Sequence, residues 1–190
     1  MMPPIKKFRK EDILQAALEI AKARGFEEIN ARTLAQELGC SVQPIFHNFT
    51  NMQGLLRATY EKMYEKYKTY LTPDPAKDKA YKQMGIGYIK FAKDYPEYFK
   101  AIFMHDTGLD AETFIAEDAI TDGVITAGRE LSGLSYEQQK KFHIKVWIFT
   151  HGLACLLASG TITMDDDEIS SLLENTVREM LIGFKKEEEK

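Results

Sequence analysis

Apolar residues recur at helical spacing along nearly the whole chain. Ile13, Ala16, Ala17, Ile20 and Ala21 fall on one face of a 3.6-residue repeat, and Gly25 after Arg24 predicts where that helix stops. Asn30 predicts an N-cap for a short helix from Ala31 to Leu38, which Gly39 ends. Ser41 predicts the cap of another short helix running to about Asn48. Asn51 predicts the start of a longer one, Met52 to about Tyr70, with Leu55, Leu56, Met63, Tyr64 and Tyr67 turned inward. The stretch Leu71-Thr72-Pro73-Asp74-Pro75 breaks the pattern, because two prolines so close cannot sit inside a helix. Beyond it the spacing predicts helices over 76–94, 96–103, 110–131, 135–159 and 165–185, with a frayed tail from Lys185 to Lys190. No Asn-Gly or Asp-Gly hairpin turn and no alternating β-branched run occurs, so the expected class is all-α, with about nine helices.

The stretch from Ala31 to Phe49 carries chemistry as well as pattern. Ala35, Gly39 and Ile45 are spaced as a helix-turn-helix requires. A small side chain (Ala35) stands where two helices touch, and Gly39 tolerates the positive φ of the tight turn. Ile45, with Val42 beside it, is expected to anchor the second helix in the core, opposite Leu34 and Leu38. That second helix then exposes Ser41, Gln43, Pro44, His47 and Asn48, groups suited to base edges and flanking phosphates. An ordinary helical hairpin is the competing reading of the spacing alone.

Charge adds to the first reading. Residues 1–60 carry eight Lys/Arg against six Asp/Glu, whereas the remainder carries seventeen against twenty-three. Lys6, Lys7, Arg9 and Lys10 form a basic arm, and no acid occurs from Cys40 through Tyr60. A front that is locally positive on a chain of net charge −4 fits, on charge alone, either a nucleic-acid-facing N-terminus or a solvated basic tail. Cys40 and Cys155 make no CxxC pair, which argues against a disulfide framework or structural zinc. No signal-peptide stretch or apolar run long enough to span a bilayer is read, so no membrane partner and a cytoplasmic location are expected.

From Arg9 to Leu56 the chain resembles the N-terminal domain of the TetR family of transcriptional regulators, on Leu34-Ala35, Gly39-Cys40-Ser41, Phe46-His47-Asn48-Phe49 and Leu55. Trp147, His151 and Gly152, together with the Tyr88–Phe103 element, resemble the C-terminal part of one subfamily. The resemblance implies a DNA-binding domain over residues 1–50, a connector helix over about 52–70, and a ligand-sensing and dimerisation domain over 51–190. It implies a repressor that binds a palindromic operator in double-stranded DNA as a homodimer, and that a small, largely apolar effector releases. Lys7, Arg32, Ser41, Gln43, Pro44, Phe46, His47 and Asn48 are the expected DNA-binding residues. Where the family has Tyr and Lys, this chain has Phe46 and Met52, and each change removes a phosphate contact. Losing one cationic contact is expected to lower the salt slope by about 1.

In the second part, Phe91, Tyr95, Phe103, Phe114, Trp147 and His151 are the expected ligand-binding residues, because bulky groups with a few polar ends suit a mostly apolar cavity. Aromatic residues at helical spacing are equally what a plain core needs. The helix over 135–159 is apolar almost all round in its second half, and the last helix carries its own apolar stripe. Leu153, Leu156 and Leu157, with Leu172, Leu173, Thr176 and Met180, are the expected isologous dimer interface, and a monomer that buries both helices internally is the competing explanation. An enzyme is the first rival. No HExxH, GxSxG, SxxK, P-loop or GxGxxG motif occurs, the four histidines do not fall at metal spacing, and no cofactor or metal is expected. The second rival is a protein–protein adaptor of the same fold without operator binding.

Overall fold

The computed structural model describes residues 8–72, 80–104 and 121–188. Among these, every regular element is helical: α1 (Lys10–Arg24), a 3₁₀ turn (Phe26–Glu28), α2 (Ala31–Leu38), α3 (Gln43–Asn48) and α4 (Met52–Leu71) come first. Next come α5 (Ala80–Asp94), α6 (Pro96–Phe103), α7 (Thr121–Ser132), α8 (Tyr136–Ala158) and α9 (Asp166–Glu188). The all-α expectation holds. The chain divides into two compact units, one from residues 1–66 and 95–105, the other from 67–94 and 106–190. The division falls inside α4.

In the first unit the local signals act as read. Asn30 Oδ1 accepts from the backbone N–H groups of Arg32 and Thr33, both at 3.0 Å, and Thr33 Oγ1 accepts from Asn30 N–H at 3.0 Å. This reciprocal cap fixes where α2 begins. Gly39 ends it in the left-handed region, at φ 63°. Ile13, Ala17, Ile20, Leu34, Ile45 and Leu55 form the buried core. α6 belongs to this unit as well: Tyr98, Phe99 and Ile102 are buried, and the Tyr98 hydroxyl donates to Leu18 O at 2.9 Å.

Three local expectations are corrected. Ser41 does not cap α3. The helix begins at Gln43 after Val42, whose φ of −69° and ψ of −16° are already helical, and no side chain caps it. Val42 does not join Ile45 in the core but stands 44% exposed, because it precedes the first full turn and points off the outer side. On α4 the buried line is Leu55, Thr59, Met63, Tyr67 and Leu71, one residue every turn, while Leu56 and Tyr64 lie half-buried at its edge. Thr59 is tolerated there because its hydroxyl donates to Leu55 O at 2.9 Å.

The second unit is built from the end of α4 with α5, α7, α8 and α9. α5 lies against α7, α8 and α9, and α8 against α7 and α9. Gly87 lets α5 approach the last turn of α4, since a Cβ there would overlap the Tyr70 carbonyl oxygen. Ser135 caps α8 by accepting from Gln138 N–H. Asp165 and Glu168 cap α9 reciprocally, each carboxylate accepting from the other's backbone N–H at 2.8 Å. The tail does not fray at Lys185 as expected. α9 continues to Glu188, because Lys145 and Gln138 of α8 reach Glu187 and Glu188 at 3.2 and 3.1 Å. The predicted helix starts at 76 and 110 fall outside the described residues.

Candidate nucleic-acid interface and effector site

α3 is short, and its residues sort cleanly by direction. Ile45 is fully buried and Phe49 nearly so, which seats the helix on the core through one side. Ser41, Gln43, Phe46 and His47 are exposed on the other, and Pro44 is half-buried. Arg32, at the start of α2, is exposed too. Asn48 is different. Its amide donates to Pro44 O at 2.9 Å and to Phe8 O at 3.1 Å, so it ties α3 to the segment ahead of α1. Lys7 lies outside the described residues. The arm's last lysine, Lys10, sits over the Phe49 ring with its Nζ 5.1 Å from the centroid. The outward surface thus carries a hydrogen-bonding pair, Gln43 and His47, beside an apolar pair, Val42 and Phe46. Charge patterning could not separate these directions; burial does.

The expected effector residues fall into both units. Tyr95 and Phe103 belong to the first. Tyr95 stacks on Tyr98 at 5.3 Å between centroids, with Lys22 and Lys66 each reaching its ring, and Phe103 meets Phe99 at 5.2 Å. Phe91, Trp147 and His151 belong to the second. Phe91 is fully buried between Tyr67 and Tyr70, 5.4 and 5.5 Å away. Trp147 stacks face to face on His151, 4.9 Å between centroids and 16° between planes. Phe114 lies outside the described residues.

The polar heart of the second unit is a pair of rungs between α5 and α8. Tyr88 Oη meets His151 Nδ1 at 2.8 Å, and two helical turns away Tyr81 Oη meets His143 Nδ1 at 3.2 Å. His151 Nε2 also approaches Cys155 Sγ at 3.4 Å. Burial holds His151 below the ordinary imidazole range and pulls His143 down to about 4, so both rings are neutral at pH 7. Burial pushes the Tyr81 hydroxyl up and the Cys155 thiol likewise. Next to them, Ser132 Oγ donates to Gln139 Oε1 at 2.7 Å, and the fully buried Gln139 Nε2 has no partner among the described residues. The α5–α8 seam therefore carries neutral hydrogen-bonding groups. His143, Tyr81 and Gln139 were missed in the sequence, since nothing in helical spacing tells a buried polar residue from a solvated one.

The expected dimer residues also divide. Leu153 and Leu173 are 6% and 4% exposed, covered by their own unit. Leu156 and Leu172 are 43% and 36% exposed, while Leu157, Thr176 and Met180 are half-buried. Ile148, on the Leu156 side of α8, is 55% exposed and is not among the expected interface residues. Lys145, Ile148, Met180, Gly183, Phe184 and Glu187 line an open groove of about 470 Å³ between α8 and α9. Among the described residues no three His, Cys, Asp or Glu side chains gather as metal ligands, and no helix is long and apolar enough to cross a membrane.

Comparison with known proteins places this geometry. An uncharacterised helix-turn-helix transcriptional regulator of Mycobacterium tuberculosis is 22% identical over 183 residues, covering 95% of this chain and 83% of its own length. A TetR-like transcriptional regulator from Rhodococcus sp. RHA1 superposes with a TM-score of 0.68 at 17% identity, covering 96% of this chain and all of that one. A TetR variant from Acinetobacter baumannii AYE, in complex with minocycline, gives 0.54 at 15% identity, covering 94% of each chain. Residues 13–59 match the family described as bacterial regulatory proteins, tetR family, and residues 81–180 match the tetracyclin repressor-like C-terminal domain. The matched helix-turn-helix is the α2–α3 pair with its outward Gln43 and His47, and with both matches taken together the chain belongs to the TetR family of transcriptional regulators.

Proposed function

We propose that the chain is a homodimeric repressor whose α3 enters the major groove of a palindromic operator, and that a small, largely apolar effector bound in the second unit releases it. The observation that carries the DNA reading is the outward side of α3, where Gln43, Phe46 and His47 are all exposed with no acid between Cys40 and Tyr60. Arg32 adds a cation at the N-terminal end of α2. Dimerisation is supported by the outer side of α8 and α9. A Cβ at Gly152 or Gly183 would meet nothing within 4 Å, yet a glycine inside a helix costs about 1 kcal/mol relative to alanine. Close approach by a second copy gives both glycines a reason, and Ile148, Leu156 and Leu172 beside them supply apolar area.

The effector reading draws on the Tyr88–His151 and Tyr81–His143 rungs, on the stacked Trp147 and on Phe91 in the same unit. Neutral imidazoles and phenols orient an uncharged ligand with a few polar atoms and give a charged one no counter-ion. A ligand changes operator affinity only by the difference in its own affinity for the two forms.

Selection of duplexes from a random library by the full chain, followed by gel-shift titration, tests the DNA reading. Enrichment of an inverted repeat is expected, and Gln43→Ala and His47→Ala should each weaken binding while the protein remains a folded dimer. If both variants bind as the parent does, α3 is not the reader. If no duplex is enriched, the adaptor alternative takes its place. Release of a selected duplex by apolar compounds tests the effector reading.

A further inference from the structure

The outward side of α3 carries a feature that neither hydrogen bonding nor charge explains. Val42 and Phe46 are 44% and 47% exposed and stand one helical turn apart. The Phe46 N–H points back to the Val42 carbonyl at 3.5 Å, so the two side chains share one edge of the helix. Gln43 and His47 form the parallel edge. Both apolar side chains stand exposed, whereas Ile45 and Phe49 on the opposite side are buried. The surroundings favour DNA as the occupant over an apolar protein surface: no acid lies between Cys40 and Tyr60, and Arg32 and Lys10 are exposed nearby in sequence or fold.

In the major groove one apolar group projects from the bases, the 5-methyl of thymine. We propose that Val42 and Phe46 form a thymine-methyl reader, so that each operator half-site must present thymine methyls where this edge of α3 lies. This rests on the DNA-binding reading above and deepens it: Gln43 and His47 read hydrogen-bonding edges, and Val42 and Phe46 read methyl groups. Phe46, having no hydroxyl, gives its whole ring edge to apolar contact. The selectivity is for thymine over cytosine and over uracil, since cytosine and uracil both lack the methyl.

The test uses the full chain and the duplex it selects from a random library. Each thymine of the half-site is replaced in turn by deoxyuridine, which removes the methyl and keeps every hydrogen-bonding group. Burial of one methyl corresponds to about fourfold in affinity. At one or two thymines per half-site, deoxyuridine is expected to weaken binding by about fourfold or more. In Val42→Ala or Phe46→Ala that thymine-to-uracil ratio should fall to near one at the matching position. Both positions are exposed, so the variants should stay folded, which circular dichroism and size-exclusion chromatography check. Selection of a duplex that binds equally well with deoxyuridine at every thymine overturns this inference and leaves the DNA reading standing. So does a ratio that both alanine variants retain. Failure to select any duplex overturns both.

Discussion

Gly87 is the position at which one methyl group should have the clearest consequence. It lies on the side of α5 that meets the last turn of α4, and a Cβ there would overlap the Tyr70 carbonyl oxygen and stand 3.0 Å from the carbonyl carbon. That neighbour is backbone inside a helix, so it cannot rotate aside. The end of α4 has to retreat by roughly 1 Å or more to restore ordinary contact. Overpacking of this kind costs about 1–3 kcal/mol, and the better helix propensity of alanine returns up to about 1 kcal/mol. Gly87→Ala should therefore be destabilising by about 1–2 kcal/mol. Gly85, two residues earlier on the same helix, is the internal control. A Cβ there would lie 4.0 Å from Leu173 Cδ1, an ordinary van der Waals contact, so only the propensity term remains. Gly85→Ala should be stabilising by up to about 1 kcal/mol. The two variants, one methyl each, should thus differ by roughly 2 kcal/mol, or about 4–8 °C in thermal midpoint. Thermal and urea unfolding followed by circular dichroism, at one fixed protein concentration, measure this. Equal midpoints for the two variants would refute the close α4–α5 approach.

Three other outcomes are expected. Stability should fall as pH drops from about 7 toward 4. With the folded pKa of His143 at about 4 and the unfolded value near 6.5, the unfolded chain holds a proton that the folded one does not across that window. His143 can contribute up to about 3 kcal/mol of this loss, and His151 adds in the same direction. His143→Gln should flatten the slope of stability against pH, and an unchanged slope would remove the buried neutral imidazole from the account. Leu156→Glu, at a position 43% exposed, should give a folded monomer by light scattering, and a persisting dimer would move the interface elsewhere. Asn48→Ala should lower stability by about 1 kcal/mol, because two backbone acceptors lose their donor, with little change in sequence preference. A changed preference would make Asn48 a base reader after all.

The helices were legible because their signals are local. Asn30, Gly39, Ser135 and Asp165 each act within four residues, and a cap needs no knowledge of the rest of the fold. Direction was less legible. Val42, just ahead of α3, and Ile45 within it are both β-branched apolar residues, yet one is 44% exposed and the other wholly buried. Composition cannot separate them; the phase of a helix only six residues long does, and a shift of two residues in its start reverses that phase. The same limit applied to the leucines of α8 and α9, where Leu153 faces the unit's own core and Leu156 faces out.

The missed rungs have a different cause. A Tyr–His pair between α5 and α8 spans 62 or 63 residues of sequence, so neither partner announces the other. His151 drew notice only because it stands among apolar neighbours, and His143 lies two turns away in a more polar stretch. Once the helices are side by side, the seven residues from Tyr81 to Tyr88 and the eight from His143 to His151 both amount to about two turns, and the pairs come into register. That register puts both pairs between the same two helices. If the proposed effector displaces Tyr88 from His151, it acts on the same α5–α8 seam that Tyr81 and His143 hold, and α5 is the helix whose Gly87 receives the end of α4. On the proposed effector reading, a ligand at this seam would bear directly on α5, which already touches α8 through Tyr88 and the end of α4 through Gly87.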